Sequence, residues 1–184
     1  MDIIARLAYI RACRLDSWRY TIFADETVFT INNEGRVSWI QRGETRPTVN
    51  VILHPIQVHI WGAVWYAGQS TLWIGEGPIN TVVYTNILEA YLLSTRSQSR
   101  RYALLRDSGR AHTARRTEEW LETNNARVVA LYHPRSPDFN AIEHVWVWMK
   151  QNVAASNPVT REALVQFKTE AFQSLPISHR QHYV

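Results

Sequence analysis

The stretch Ser136-Pro-Asp-Phe-Asn-Ala-Ile-Glu-His-Val-Trp146 holds the most informative local pattern in the chain. Pro137 favours a turn, and the apolar residues after Asn140 recur at helical spacing, so we expect a helix to begin here. Glu143 lies in the first turn of that helix. A carboxylate at this place has two common uses. It can form a capping box with Asn140 by satisfying a free backbone N–H group, or it can bind a metal ion together with other segments.

Two aspartates end apolar runs that are typical of strands. Asp25 closes the run Tyr20-Thr-Ile-Phe-Ala-Asp25, and Asp107 closes the run Tyr102-Ala-Leu-Leu-Arg-Asp107. In sheets with parallel strands, ligands gather beyond the carboxyl ends of the strands. Two strand ends and a helix can therefore bring three carboxylates to one point, and Mg²⁺ is held by a few carboxylates plus substrate phosphates. This pattern favours metal-dependent phosphoryl transfer.

The composition indicates one intracellular domain with a polyanionic partner. The chain has 184 residues, a net charge of +4 and 20 basic residues, of which only Lys150 and Lys168 are lysine. Arginine binds phosphate through its planar fork, although codon bias is an alternative cause of the excess. The single cysteine excludes an internal disulfide and fits a reducing compartment, and we expect no membrane span. We expect the nucleus in a eukaryote and otherwise the cytoplasm.

The order of predicted elements is that of a mixed α/β domain whose later strands are parallel. The Asn80 or Thr81 side chain is expected to cap one helix, and Thr160 to cap the last. The pattern predicts helices over 3–15, 79–93, 113–123, from Pro137 to about 153 and over 161–175, strands over 18–24, 101–106 and 126–132, hairpins of 28–31 with 37–40 and of 56–66 with 71–74, and a polar loop over 41–55.

Four blocks of the sequence together resemble the catalytic domain of mariner-type DDE transposases. They are Phe23-Ala-Asp25-Glu26, Trp61-Gly62-Ala63-Val64, Asp107-Ser-Gly-Arg-Ala-His112 and the stretch from Ser136 to Trp146. The 35 residues between Asp107 and Glu143 fit the family's interval within one residue. The chain differs at three places, with Ser108 and His144 where the family usually has Asn and Ala141 where it usually has Pro.

The resemblance implies a ribonuclease-H-like α/β fold, with a mixed sheet of about five strands flanked by helices and an inserted arm. It places a lead-in helix at 1–17, the catalytic domain at 18–175 with the arm at 31–55, and a tail at 176–184. Full transposases of this type carry helix-turn-helix modules before the catalytic domain. The resemblance therefore implies a catalytic core without its DNA-recognition modules.

The resemblance also implies the chemistry and the partners. Asp25, Asp107 and Glu143 match three catalytic acids that hold two Mg²⁺ ions, with Mn²⁺ as a substitute, for DNA cleavage and strand transfer. His112 matches a histidine that follows the second aspartate, which makes it a candidate for contact with the site, and a polar cap or loop residue is the alternative. The implied partners are transposon-end and target DNA and a second subunit, as a homodimer in a paired-end complex. The alternative is an inactive or domesticated remnant that binds nucleic acid or protein.

Several other residues have two interpretations from sequence alone. Arg110, Arg115, Arg116 and Lys150 are candidates for contacts with DNA phosphates, and ordinary surface charge is the alternative. Asp138 competes with Glu143 as the third acid, but its position between Pro137 and Phe139 suits a turn or helix cap. Glu26 follows Asp25 directly, and because side chains alternate along a strand we expect the two to point to opposite faces.

Overall fold

The computed structural model describes residues 3–13, 18–31, 42–43, 55–93, 101–129, 136–154 and 158–184. Six strands form one sheet: β1 (Thr21–Thr30), β2 (Gln57–Trp65), β3 (Gly68–Gln69), β4 (Trp73–Gly75), β5 (Ala103–Leu105) and β6 (Arg127–Val128). Their order is β3-β2-β1-β5-β6, and β4 also pairs with β2. β1 is antiparallel to β2 but parallel to β5, and β5 is parallel to β6. The predicted mixed sheet with parallel later strands is confirmed.

Helices cover both faces of this sheet. They are α1 (Ile3–Cys13), α2 (Thr81–Ile87) with a π-helical turn (Leu88–Leu92), α3 (Arg115–Thr123), α4 (Ala141–Ala154), α5 (Arg161–Gln173) and α6 (Ile177–Tyr183). Short 3-10 helices span Trp18–Tyr20 and Pro137–Phe139. The side chain of Asn80 accepts hydrogen bonds from the backbone N–H groups of Val82 and Val83, and Thr160 accepts one from Ala163. Asn80 is therefore the cap of α2, and Thr160 caps α5 as predicted.

Alternation along the strands divides the core into two layers. In β2, Ile60 and Val64 pack with α4 and α5 on one face, whereas Trp61 and Ala63 pack with α2 and α3 on the other. The same alternation in β1 assigns Asp25 to the face of α4 and Glu26 to the face of α2. The two neighbouring acids are thereby separated by the sheet.

Gly62 determines how closely α4 approaches the sheet. Gly62 pairs with Asp25 across β1 and β2. A Cβ atom at this position would lie 2.9 Å from Cη2 of Trp146 in α4 and 3.1 Å from Cδ2 of Leu72. The missing side chain lets the indole of Trp146 lie directly on β2. Because Glu143 lies one turn before Trp146 on the same helix, this contact brings the third acid towards the strand of the first.

The predicted strands over 18–24 and 28–31 join into one strand, β1, so Asp25 lies inside a strand rather than at its end, and the predicted hairpin of 28–31 with 37–40 stays a prediction. Val28 to Thr30 continue β1 without interruption and pair with β2, where Val28 lies opposite His59 and Thr30 opposite Gln57. The reason is the long partner strand β2, against which the Phe29 side chain is fully buried. Residues 37–40 lie outside the described part of the chain.

Other elements differ from the prediction at their ends. Residues 18–20 form a 3-10 helix rather than the start of a strand, and the predicted helix over 79–93 finishes as a π-helical turn. The strand over 126–132 was expected to be buried, but its described strand residues, Arg127 and Val128, are exposed because β6 is the last strand in the described sheet. Ala130 to Tyr132 lie outside the described residues.

The predicted tail at 176–184 contains a helix, α6. It packs on α4 through aromatic rings: His144 and Tyr183 stack with centroids 5.2 Å apart, and His179 meets the edge of Trp148 at 6.3 Å. These contacts supply the burial that a polar segment of this length needs to stay helical. Within the described ranges, no helix has the length and apolar character needed to cross a bilayer.

Candidate active site

A cleft of about 630 Å³ opens where β5 ends and α4 begins. Asp107, which follows β5, and Glu143, in the first turn of α4, both line it. Glu26, Arg110 and His112 line it as well. Two of the three predicted acids therefore share one cleft, together with the predicted histidine and one predicted arginine.

Asp25 lies in the middle of β1, half-buried beside this cleft, but is not among its lining residues. Burial is the main cause that raises the pKa of the Asp25 carboxyl to about 8. The negative charges of Glu26, Glu143 and Asp107 contribute to this rise, while the backbone N–H of Glu26 acts in the opposite direction. The other two predicted acids therefore lie near enough to Asp25 to repel its ionised form.

His112 joins two carboxylates from different segments. Its Nε2 lies 2.9 Å from Oε1 of Glu26, and its Nδ1 makes a close ionic contact with Asp107. The ring is buried and packs on Tyr84 of α2 with centroids 4.2 Å apart. Burial alone would lower the pKa of His112, but the bonds to Asp107 and Glu26 outweigh it and raise the pKa to about 10. The imidazolium thus neutralises part of the acidic cluster.

The turn after β5 holds Asp107 in place. Its Oδ1 accepts a hydrogen bond of 2.9 Å from the backbone N–H of Gly109, and the carbonyl of Gly109 accepts one of 3.0 Å from the backbone N–H of His112. The separate bond from the His112 side chain to Asp107 is the main reason why the pKa of Asp107 is lowered, against the effect of burial. Asp107 is therefore ionised at neutral pH.

Asn140 connects the segments of the first and third acids. The side chain is 3% exposed, and its amide Nδ2 donates a 3.3 Å hydrogen bond to the carbonyl of Ala24, next to Asp25. The backbone carbonyl of Asn140 accepts a 3.0 Å hydrogen bond from the backbone N–H of Glu143. Within the described residues, Oδ1 of Asn140 accepts no hydrogen bond and the backbone N–H of Asn140 donates to the carbonyl of Pro137, so neither bond of a capping box is formed. The Glu143 side chain lies at the cleft.

The rival acid, Asp138, has a different partner. Its carboxylate forms an ion pair with Arg6 of α1, whose guanidinium also lies 4.8 Å from the ring centroid of Phe139. Asp138 is therefore directed towards α1 and does not line the cleft.

The four predicted phosphate-contacting residues are spread over the surface. Only Arg110 lines the cleft. The side chain of Arg115 is 92% exposed and lies 3.5 Å from Glu119, and Arg116 donates to Oγ1 of Thr85 in α2. Nζ of Lys150 lies 5.8 Å from the ring centroid of Phe29, away from the cleft-lining group. A role in DNA binding stays a prediction for all four.

Sequence reasoning missed the contact between Glu26 and His112. The position of Glu26 beside Asp25 was visible, and strand alternation correctly separates the two side chains. Its partner, His112, is 86 positions away in the sequence and could not be predicted, because the contact depends on how the turn after β5 folds against β1.

A family model described as DDE superfamily endonuclease matches residues 20–165. The chain belongs to this family. It is 23% identical over 186 aligned positions to the Tcb2 transposase of Caenorhabditis briggsae, which covers 95% of this chain and 68% of the relative. It is also 21% identical to the Tc1 transposase of Caenorhabditis elegans, with the same coverage. The chain is a DDE endonuclease domain related to transposases.

Solved structures of the Mos1 transposase share the fold of this endonuclease domain. The Mos1 paired-end complex with the left transposon end gives a TM-score of 0.77 at 19% identity, over 98% of this chain and 55% of the Mos1 chain. The Mos1 catalytic domain solved with raltegravir and Mg gives 0.72 at 17% identity, over 97% and 83%. The expected ribonuclease-H-like fold is confirmed, and the chain spans about half of the full Mos1 chain.

Proposed function

We propose that this endonuclease domain is the catalytic core of a cut-and-paste DNA transposase, in which Asp25, Asp107 and Glu143 hold the catalytic metal ions. The observation that carries the proposal is that Asp107 and Glu143 line one cleft beside Asp25, whose pKa burial and the neighbouring acids raise to about 8. Acids gathered from two strands and a helix repel one another. A bound cation would convert this repulsion into attraction.

The donor set fits a hard divalent cation, since all three candidates are carboxylates. In the described residues, no three His, Cys, Asp or Glu side chains are yet placed to hold one ion together. Asp107 contacts His112 and the backbone N–H of Gly109 through Oδ1, so its other carboxylate oxygen, Oδ2, is the candidate metal ligand. When bound, two Mg²⁺ ions, or Mn²⁺ in their place, would stabilise the attacking and leaving oxygens of an in-line displacement. Mos1 has been solved with Mg and with Mn.

The chain's own residues supply position and charge around the cleft. His112, held on Glu26, keeps Asp107 ionised and near β1. Asn140 keeps the start of α4, and with it Glu143, against the strand of Asp25. Arg110 is placed at the cleft to contact a DNA phosphate. Water attacks when a strand is cut, and a DNA 3′-hydroxyl attacks when strands are joined.

The whole-protein setting belongs to the same proposal. Residues 18–175 would be the catalytic domain with residues 31–55 as an arm, and the partners would be transposon ends, target DNA and a second copy in a paired-end complex. Such a complex is described for Mos1. Action on chromosomal DNA would place the protein in the nucleus of a eukaryote or in the cytoplasm of a bacterium. An inactive remnant that binds nucleic acid or protein is the alternative.

A nicking assay on supercoiled plasmid tests the proposed activity. The purified chain should relax the plasmid with Mg²⁺ or Mn²⁺ and stop when EDTA is added. Asp25→Asn, Asp107→Asn and Glu143→Gln each remove a charged oxygen ligand at nearly constant shape, so nicking should fall by orders of magnitude. The matched control is Glu122→Gln, which neutralises an exposed acid on α3 and should leave nicking unchanged.

Two results would count against the proposal. Equal nicking by the parent and the three acid variants would indicate a contaminating nuclease. A parent chain that is folded by circular dichroism but does not nick plasmid, even when a transposon-end duplex is supplied, would favour the inactive remnant.

A further inference from the structure

Three arginines lie in a row at the end of the sheet opposite to the candidate active site. Arg19 precedes β1, Arg101 precedes β5 and Arg127 begins β6, and all three are exposed. The register keeps them together, because Thr21 pairs with Ala103, and Ala103 pairs with Arg127. Neighbouring strands are about 4.8 Å apart, so the row extends over roughly 10 Å.

Tyrosine rings hold two of these arginines. The Arg19 guanidinium carbon lies 4.6 Å from the ring centroid of Tyr66, and Nη2 donates to the Tyr66 hydroxyl at 3.4 Å. Arg101 is placed in the same way on Tyr20, at 5.5 Å from the ring centroid and 3.4 Å from the hydroxyl. Nη1 of Arg127 reaches the backbone carbonyl of Arg101 at 3.5 Å. Such contacts restrict the side chains before any partner binds, which lowers the entropy lost on binding.

The charge and geometry of the row fit a polyanion with regularly spaced phosphates. A guanidinium has five N–H donors in a planar fork that matches phosphate oxygens, and stacking on a ring leaves in-plane donors for a ligand. Tyr20 and Tyr66 are half-buried, so their rings act as fixed supports for the two guanidinium groups. The net charge of +4 favours the same partner.

We propose that Arg19, Arg101 and Arg127, with Tyr20 and Tyr66, form a second DNA-binding surface that contacts phosphates of a DNA segment outside the catalytic cleft. Arg101 and Asp107 are six positions apart in nearly extended chain, so the row and the acids are on the order of 20 Å apart. The inference takes DNA as the partner from the proposed function but does not depend on catalysis.

Salt-dependent DNA binding tests this surface. Fluorescence anisotropy with a labelled 30-base-pair duplex in EDTA gives the dissociation constant of the full chain at several NaCl concentrations. Arg19→Gln/Arg101→Gln should reduce the slope of log Kd against log salt by about 2, since each lost phosphate contact removes about 0.9. The control Arg11→Gln/Arg161→Gln makes the same charge change at two positions away from the row and should keep the parent slope.

The outcomes separate this inference from the proposed function. The second DNA-binding surface is overturned if Arg19→Gln/Arg101→Gln gives the same slope as the parent and the control while thermal unfolding is unchanged. This result would also be obtained if the row binds an acidic protein instead of DNA. The comparison variant Arg110→Gln/Arg115→Gln reports the cleft side. If it lowers the slope while the row variant does not, only the second surface fails. If no variant lowers the slope, DNA is the wrong partner for both.

Discussion

In the metal-free site, ionising the Asp25 carboxyl is electrostatically unfavourable. Burial raises its pKa to about 8, and the charges of Glu26, Glu143 and Asp107 act in the same direction. Without a cation, part of this cost is avoided by keeping Asp25 protonated near neutral pH. Because a metal ligand must be deprotonated, metal binding should release a proton here and become tighter as the pH rises.

His112 makes the stability of the metal-free protein depend on pH. Its pKa is raised from 6.5 to about 10, so its contribution to the free energy of unfolding is complete below pH 6.5 and is lost as the pH rises to 10. The raised pKa of Asp25 acts in the same direction between about pH 4 and pH 8. The groups that face His112 are Glu26, Asp107 and Tyr84, and the pKa of Tyr84 is raised well above 10. From pH 8 to 10 the decline should therefore come mainly from His112.

Urea unfolding in EDTA at pH 7, 8, 9 and 10 checks this. The parent should lose stability steadily over the range, whereas His112→Asn, which keeps a polar side chain but cannot be protonated, should give a nearly flat curve between pH 8 and 10. Parallel curves for the two proteins would show that His112 is not held as a cation.

At the residue scale, local sequence was sufficient to propose the acids but not their connections. Asp25 and Asp107 follow apolar runs, and Glu143 lies at a helix start, which are features of short segments. The link from Glu26 to His112 and the bond from Asn140 to Ala24 join residues 86 and 116 positions apart. Contacts of this kind depend on strand register and turn geometry, which composition and periodicity do not encode.

At the scale of elements, the approach of α4 to the sheet depends on Gly62. In Gly62→Ala the new methyl group would meet Trp146 at 2.9 Å and Leu72 at 3.1 Å, so the indole and its helix must shift. We expect a loss of about 1–3 kcal/mol in the free energy of unfolding, as for other overpacked cores. Nicking should fall as well, because Glu143 moves with the helix.

The matched control is Gly77→Ala, where no heavy atom lies within 4 Å of the added Cβ. Its unfolding free energy should stay within about 0.5 kcal/mol of the parent. If Gly62→Ala is as stable and as active as Gly77→Ala, then the contact between Trp146 and β2 does not position the third acid.

Element types were easier to predict than element limits. The helices from Pro137 and over 161–175 were found because apolar residues repeat at helical spacing and Thr160 provides a cap. The continuation of β1 to Thr30 was missed because Asn32-Asn-Glu-Gly35 suggested a local hairpin, while the actual partner strand, β2, comes later in the chain. Helix α6 was missed because its burial comes from stacking on α4. In both cases a tertiary contact decided the outcome.

At the scale of the whole molecule, the sheet separates two kinds of charge. Asp107 follows the carboxyl end of β5, Glu143 lies at the start of α4 and Asp25 lies in the middle of β1, whereas the arginine row lies at the opposite end of β1, β5 and β6. The chain spans 68% of the Tcb2 transposase and 55% of the Mos1 chain in the paired-end complex. The family and the fold were predictable from four sequence blocks, because these blocks contain the acids and the residues that hold them.

Anomalous X-ray scattering from crystals of the chain grown with Mn²⁺ would locate the metal ions that the three carboxylates are proposed to hold. We expect an anomalous peak within coordination distance of the carboxylates of Asp25, Asp107 and Glu143. The peak should disappear in crystals of Asp107→Asn. A well-ordered structure at saturating Mn²⁺ with no peak among these three carboxylates, or with a peak that Asp107→Asn leaves unchanged, would contradict the proposal.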